Sequence, residues 1–290
     1  MYRTIIAIFV FTNFIYSNAK SQQTLPEIYL NHVYFVLDSV SFAKLSDSNF
    51  VTQQLANLKV SSTTTTNGSW SGKYLMGKNS YFEFFAANGF SGASLGDCGL
   101  GFMTKKTKDI NVLENKWQLN KKDMVIRDTS TRVDSGVTYP WFYSLSLMTS
   151  DSVQPLSTWV MENTPEHLRS VGFTNEEMSK QILWEEYAAK KNSLRSDKPF
   201  NYIRKAHILV NNKNFQYLKR SLTGFGLRQK QTTFSNNEIE ITCTVSEKYT
   251  VRLQTVETEL TGTFPETNVL LSDYLKVHVK GNKATWIFSY

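Results

Sequence analysis

The sequence predicts an α+β protein built from repeated βαβββ units that form curved mixed sheets, with one long connecting helix. Three observations predict it. Short runs rich in β-branched and aromatic residues, many alternating apolar with polar, recur along the chain. In three stretches, one amphipathic helical pattern follows the first such run and precedes the others. Aromatic residues are plentiful, with 19 Phe, 14 Tyr and 6 Trp among 290 residues, which favours pleated surfaces over a helical bundle.

In the first unit, residues 28–38 alternate as a strand, and Phe42, Leu45, Phe50 and Leu55 give residues 39–56 a helical stripe. The β-branched run Val60 to Thr66 precedes Asn67-Gly68, a hairpin signal. Strands over 70–76 and 81–86 follow, separated by Gly77-Lys78-Asn79. The second unit repeats the order. A strand over 99–104 leads to a helix over 109–119 with Ile110, Leu113 and Trp117 on one face, then strands over 124–133, 139–148 and 158–162. Residues 174–191 predict the long helix, with Thr174 as cap, Glu176 and Glu177 in the first turn and Lys190-Lys191 in the last. A polar linker runs from 192 to 199. The third unit has a strand over 205–210, a helix over 214–222 ended by Gly224 and Gly226, and strands over 227–234, 238–245 and 250–257. Two more strands, 275–279 and 284–288, close the chain. The domains expected are a paired unit over 28–172, a helix and linker over 173–199, and a third module over 200–290.

Arg3, the mostly apolar run Ile5 to Tyr16 and the small residues at Ser17-Asn18-Ala19 predict a signal peptide over 1–21, hence a secreted or periplasmic protein. The run is too short for an ordinary membrane span, and no other stretch is suited to one. Net charge is +7, but the basic residues are scattered, the densest runs being pairs such as Lys105-Lys106. That is a solvated basic surface, not a nucleic-acid site. Cys98 and Cys243 fall in different modules and read either as a disulfide or as two buried thiols. No Gly-x-Ser-x-Gly, His-Glu-x-x-His, phosphate-binding loop or dinucleotide fingerprint occurs.

Two polar residues stand out inside apolar strands: His32 in Leu30 to Asp38, and Glu83 in Tyr81-Phe82-Glu83-Phe84-Phe85. A buried charge is costly unless paired, hydrogen-bonded or bound to metal. Alternation puts Tyr81, Glu83 and Phe85 on one face, so Glu83 has aromatic neighbours and reads as lining a cavity. Trp70, Tyr74, Trp141 and Tyr143 are further candidates for an aromatic pocket, with plain core packing as the alternative. His167 reads as a surface residue beside a turn, and His278 as outward-facing.

Repeated βαβββ units with His32 in a first strand and Glu83 in a fourth resemble the vicinal oxygen chelate superfamily. That group includes glyoxalase I, extradiol dioxygenases, and fosfomycin and bleomycin resistance proteins. The resemblance covers residues 28–165 as one pair of units and 203–260 as a third copy. Leu30-Asn31-His32, Tyr81 to Phe85 and Trp159-Val160-Met161-Glu162 also resemble an uncharacterised exported glyoxalase-like family. The resemblance implies a shared pocket, to which the residues' own pattern assigns Tyr74, Tyr81, Phe85 and Trp141, and a divalent metal (Zn, Fe, Mn or Ni, not distinguished) held by His32, Glu83 and Glu162. The fourth expected ligand is missing, because the first strand of unit two, Cys98 to Phe102, has neither His nor carboxylate. In unit three, His207 would face Arg252 or Gln254, so that unit reads as structural. Three functions remain open at this point: a metal-dependent lyase, isomerase or dioxygenase; a non-catalytic binder that sequesters a small molecule; and a purely structural module at the cell envelope. Each is compatible with a homodimer.

Overall fold

A computed structural model describes residues 25–65, 68–119, 124–134, 136–147, 156–191, 196–248 and 250–289. The expected signal peptide lies outside the described residues, as do Asn67 of the first hairpin turn and residues 192–195 of the linker.

The first unit runs β1 (Ile28–Leu37), α1 (Ser39–Asp47), a π-helical turn (Phe50–Leu55), β2 (Asn57–Thr65), β3 (Gly68–Met76) and β4 (Tyr81–Ala86). The second runs β5 (Cys98–Thr104), α2 (Asp109–Leu119), β6 (Val125–Asp134), β7 (Val137–Leu147) and β8 (Leu156–Asn163). Their strands make one eight-stranded sheet in the order β2-β3-β4-β1-β5-β8-β7-β6. Within each unit the first strand lies parallel to the fourth, and β1 and β5 join the units antiparallel. The sheet curls until its two edges, β2 and β6, approach each other. Its concave face thus becomes a trough.

Three short helices follow: α3 (Pro165–Val171), α4 (Asn175–Met178) and α5 (Trp184–Lys190). The single helix expected over 174–191 is therefore two pieces. The cap is as read, a reciprocal box between Thr174 and Glu177. The break comes where the Ile182 amide leaves the helical ladder and donates to the Lys105 carbonyl at 2.7 Å. Glu186 then restarts the helix by accepting from the Leu183 amide at 2.7 Å. The extended stretch between α4 and α5 carries Ile182 to one end of the trough.

The third unit is β9 (Phe200–Val210), α6 (Asn212–Gly224), β10 (Arg228–Lys230), β11 (Thr233–Ser235) and β12 (Glu240–Val245), followed by β13 (Val251–Leu270) and β14 (Leu275–Phe288). Its sheet order, β10-β11-β12-β9-β13-β14, follows the first five strands of the larger sheet, but β14 runs antiparallel to β13 where β8 runs parallel to β5. The strand expected over 227–234 is split into a hairpin, with Gln231 at φ 54° in its turn. The unit's fourth strand is thus β12, and β13 lies antiparallel to β9, as β5 lies to β1. The two expected tail strands are one strand, β14, paired along β13.

This module packs on the convex face of the paired sheet. Phe35 meets Phe288 at 4.4 Å between ring centroids, and Phe82 meets Trp286 at 5.1 Å and Phe200 at 5.7 Å. One continuous apolar cluster joins the modules. Each such buried aromatic contributes about 1.5–3 kcal/mol, so the third module props up the sheet that carries the trough. Cys98 and Cys243 both lie in this cluster as thiols not joined in a disulfide, and burial pushes each up to about 12.

Candidate functional site

The trough holds a cavity of about 340 Å³. Strand alternation supplies most of its lining, and two bulges supply the rest. In β1, Ile28 and Leu30 face the helix layer, and so do Val33, Phe35 and Leu37. The change of parity between Leu30 and Val33 is a bulge, which turns Asn31 and His32 both toward the cavity. In β7 the register slips at Trp141, and consecutive residues Trp141 and Phe142 both line the cavity. The freed Trp141 carbonyl accepts from the Thr164 amide at 3.0 Å.

His32 and Glu83 meet on this face. His32 Nε2 lies 3.7 Å from Glu83 Oε2, and their side chains are 5% and 14% exposed. The His32 ring stacks on Tyr81 at 4.9 Å and meets the Trp159 edge at 5.4 Å. Its Nδ1 lies 3.0 Å from Asn31 Oδ1, which orients the imidazole with a lone pair at Nε2 turned toward Glu83. Burial lowers the imidazole to about 3 and raises the Glu83 carboxyl to about 7. Tyr74 and Trp70 beside Glu83 favour its charged form and offset only part of that rise. Between those values the pair carries one proton, and burial places it on Glu83 rather than making an ion pair.

The space for the imidazole comes from the opposite strand. Gly101 pairs with His32 across β1 and β5, and a Cβ there would collide with His32 Cε1. We expect Gly101→Ala to displace the ring and to cost about 1–3 kcal/mol, read by denaturant unfolding.

Glu162 is not brought to this pair. On β8, Trp159, Met161 and Asn163 line the cavity, while Glu162 points to the other face. There its carboxylate accepts from Thr104 Oγ1 at 3.0 Å, the Lys108 amide at 2.7 Å and the Ile110 amide at 2.9 Å. It is an anion on the first turn of α2, a place that helix ends favour. The strand position matching Glu83 is Met161: Glu83 lies two residues past Tyr81, His32's neighbour, and Met161 two past Trp159, Gly101's neighbour. In unit three the matching residue is Thr244, which bonds His207 Nε2 at 2.8 Å, in place of Arg252 or Gln254. A resident divalent metal held by three charged or imidazole donors does not fit the residues present. No cluster of three or more His, Cys, Asp or Glu able to hold a metal occurs among the described residues.

Of the aromatic candidates, Trp70, Tyr74, Tyr81 and Trp141 line the cavity. Phe85 instead lines a neighbouring hollow with Tyr34 and Phe90, and Tyr143 lies under the Arg127 guanidinium at 5.0 Å. Sequence reasoning missed Trp159, Trp184 and Tyr187. Trp184 packs on Tyr81 at 4.8 Å and brings α5 over one end of the trough. His167 is buried, not superficial: it bonds the Tyr187 hydroxyl at 2.8 Å and stacks on Tyr139 at 5.8 Å, and burial lowers it to about 3.

Fold and site together define a protein of paired βαβββ units whose curled sheet encloses a cavity of small-molecule size. The chain matches a family of unknown function (DUF5829) over residues 30–288 and belongs to it. No curated protein matches it. Among solved structures, a hypothetical protein from Staphylococcus aureus is similar with a TM-score of 0.54 and 12% identity, over 84% of this chain and 95% of that one. The 2,3-dioxygenase LapB from Pseudomonas sp. KL28 is similar with a TM-score of 0.42 and 8% identity, over 92% and 94%. The Mn(II)-bound glyoxalase from Novosphingobium aromaticivorans is similar with a TM-score of 0.37 and 8% identity, over 74% and 61%. The Staphylococcus aureus likeness is one of fold alone; what chemistry the cavity supports is read from this chain's own side chains. No helix among the described residues is long and apolar enough to cross a membrane.

Proposed function

We propose that this chain binds a small planar molecule in the trough of the paired sheet, with His32 and Glu83 receiving its polar end. One observation carries the reading: a neutral imidazole and a carboxyl titrating near neutrality sit together in an aromatic-lined cavity. Tyr81, Trp159 and Trp184 offer flat apolar surface. Glu83, protonated below about 7, can donate a hydrogen bond, and His32 Nε2 can accept one. The same pair can exchange a proton with a bound molecule, which keeps acid–base catalysis within this reading.

The metal-dependent alternative rests on His32 Nε2 and Glu83 Oε2 facing each other across 3.7 Å, two donors where catalytic centres usually take three from protein. Tryptophan fluorescence and metal analysis separate the readings, because Trp70, Trp141, Trp159 and Trp184 all line the cavity. A panel of aromatic compounds should include some that quench saturably, with affinity falling about tenfold or more in His32→Phe, Glu83→Leu. Absence of saturable quenching across the panel contradicts the binding reading. Stoichiometric metal lost in that variant supports the alternative. We propose export as well, on Arg3 and the apolar run after it; an intact mass starting near residue 20 supports it, and an uncleaved mass opposes it.

A further inference from the structure

Resting on the small-molecule reading above, we infer that the ligand is an anion, a planar aromatic carboxylate whose charged group sits between Lys59 and Arg132. The charged lining of the cavity is more cationic than anionic. Lys59 on β2 and Arg132 on β6 line the cavity, and the one lining acid among the described residues is Glu83. Burial raises the Glu83 carboxyl to about 7, so near neutrality it carries only part of a full negative charge.

Lys59 and Arg132 come from the two edge strands that approach each other as the sheet curls. Both are half-buried, and among the described residues neither has a carboxylate partner. Arg132 instead lies over the Trp141 ring at 5.1 Å. Burial, with the Arg132 charge as a smaller cause, holds the Lys59 amine below its ordinary value. The strand wall between them is polar, with Ser61 and Thr63 next along β2.

Asn31 Nδ2 and Trp70 Nε1, both on cavity-lining residues, are buried donors that make no full hydrogen bond, with Tyr29 beside the first and Glu83 and Tyr74 beside the second acting on them only weakly. A buried donor left unmade is costly and is met in most structures by an acceptor. Two cations at the seam and two under-satisfied N–H groups on the same cavity call for a molecule that brings oxygen acceptors and negative charge. The aromatic walls call for a flat body. A guanidinium fork and an ammonium flanking one carboxylate is a strong pairing for such a group.

The test pairs naphthalene and indole carboxylates with their own amides, which keep shape and remove charge, and titrates each by tryptophan quenching. We expect the acids to bind about tenfold or more tighter than the amides at low salt, with the preference shrinking as salt is added. In Lys59→Met, Arg132→Met the ratio of acid to amide affinity should fall to near one, with circular dichroism confirming the fold. Amides that bind as well as their acids would overturn the anion inference while leaving the small-molecule reading intact. Binding by neither class would overturn both.

Discussion

Glu83→Gln should raise the stability of this fold by about 3 kcal/mol above about pH 8 and change it little near pH 4.5. The carboxyl rises from an ordinary 4.5 to about 7 on folding because burial penalises its charge. A raised pKa means that stability is intact below the unfolded value and is lost as pH climbs through the folded one. The wild type therefore pays to ionise Glu83 between about pH 4.5 and 7, and the isosteric amide does not. His32 works in the opposite sense. Its pKa falls from 6.5 to about 3 by burial, so its contribution is present above 6.5 and is lost as pH falls toward 3. Urea unfolding of wild type and variant at three pH values measures the difference. A constant gap between them would mean that Glu83 is not held in a site that resists its charge. A buried acid that weakens the fold at neutral pH is hard to explain as scaffolding and fits a group kept for binding or proton transfer.

Glu162→Ala should cost about 2–4 kcal/mol at neutral pH and leave the cavity's ligand affinity nearly unchanged in the folded protein. Three hydrogen bonds are lost at once, and the Lys108 and Ile110 amides at the start of α2 lose their acceptor. A metal ligand would behave in the reverse way, sparing stability and abolishing function. Denaturant unfolding beside a binding titration tells these apart.

The alternation of β1 and β4, the stripe on α2 and the order of elements in the first two units were legible because each face of each element has one neighbour layer. His32 and Glu83 were legible for the same reason: a lone polar residue on an apolar strand face has few explanations. Glu162 was misplaced because the sequence shows an acid beside Trp159 and Met161 but not which face of β8 meets the trough. Its alternation with the buried Thr158 and Val160 was the available signal. The bulges at Asn31 and Trp141 left no mark in local composition, since both come from pairing between strands. The turn at Gln231 was hidden because it uses neither Gly nor Asn. The break between α4 and α5 follows from a contact with the Lys105 carbonyl, which no local pattern encodes. His167 looked superficial beside Pro165 because the helix that buries it lies 20 residues away.

The most direct test is a crystal structure of the protein with an aromatic carboxylate that quenches its tryptophans. The account predicts the ring in the trough against Tyr81 and Trp159, a polar atom within hydrogen-bond reach of His32 or Glu83, and Glu162 still on α2. A ligand bound on another surface, or a metal ion held by Glu162 together with His32 and Glu83, would contradict it.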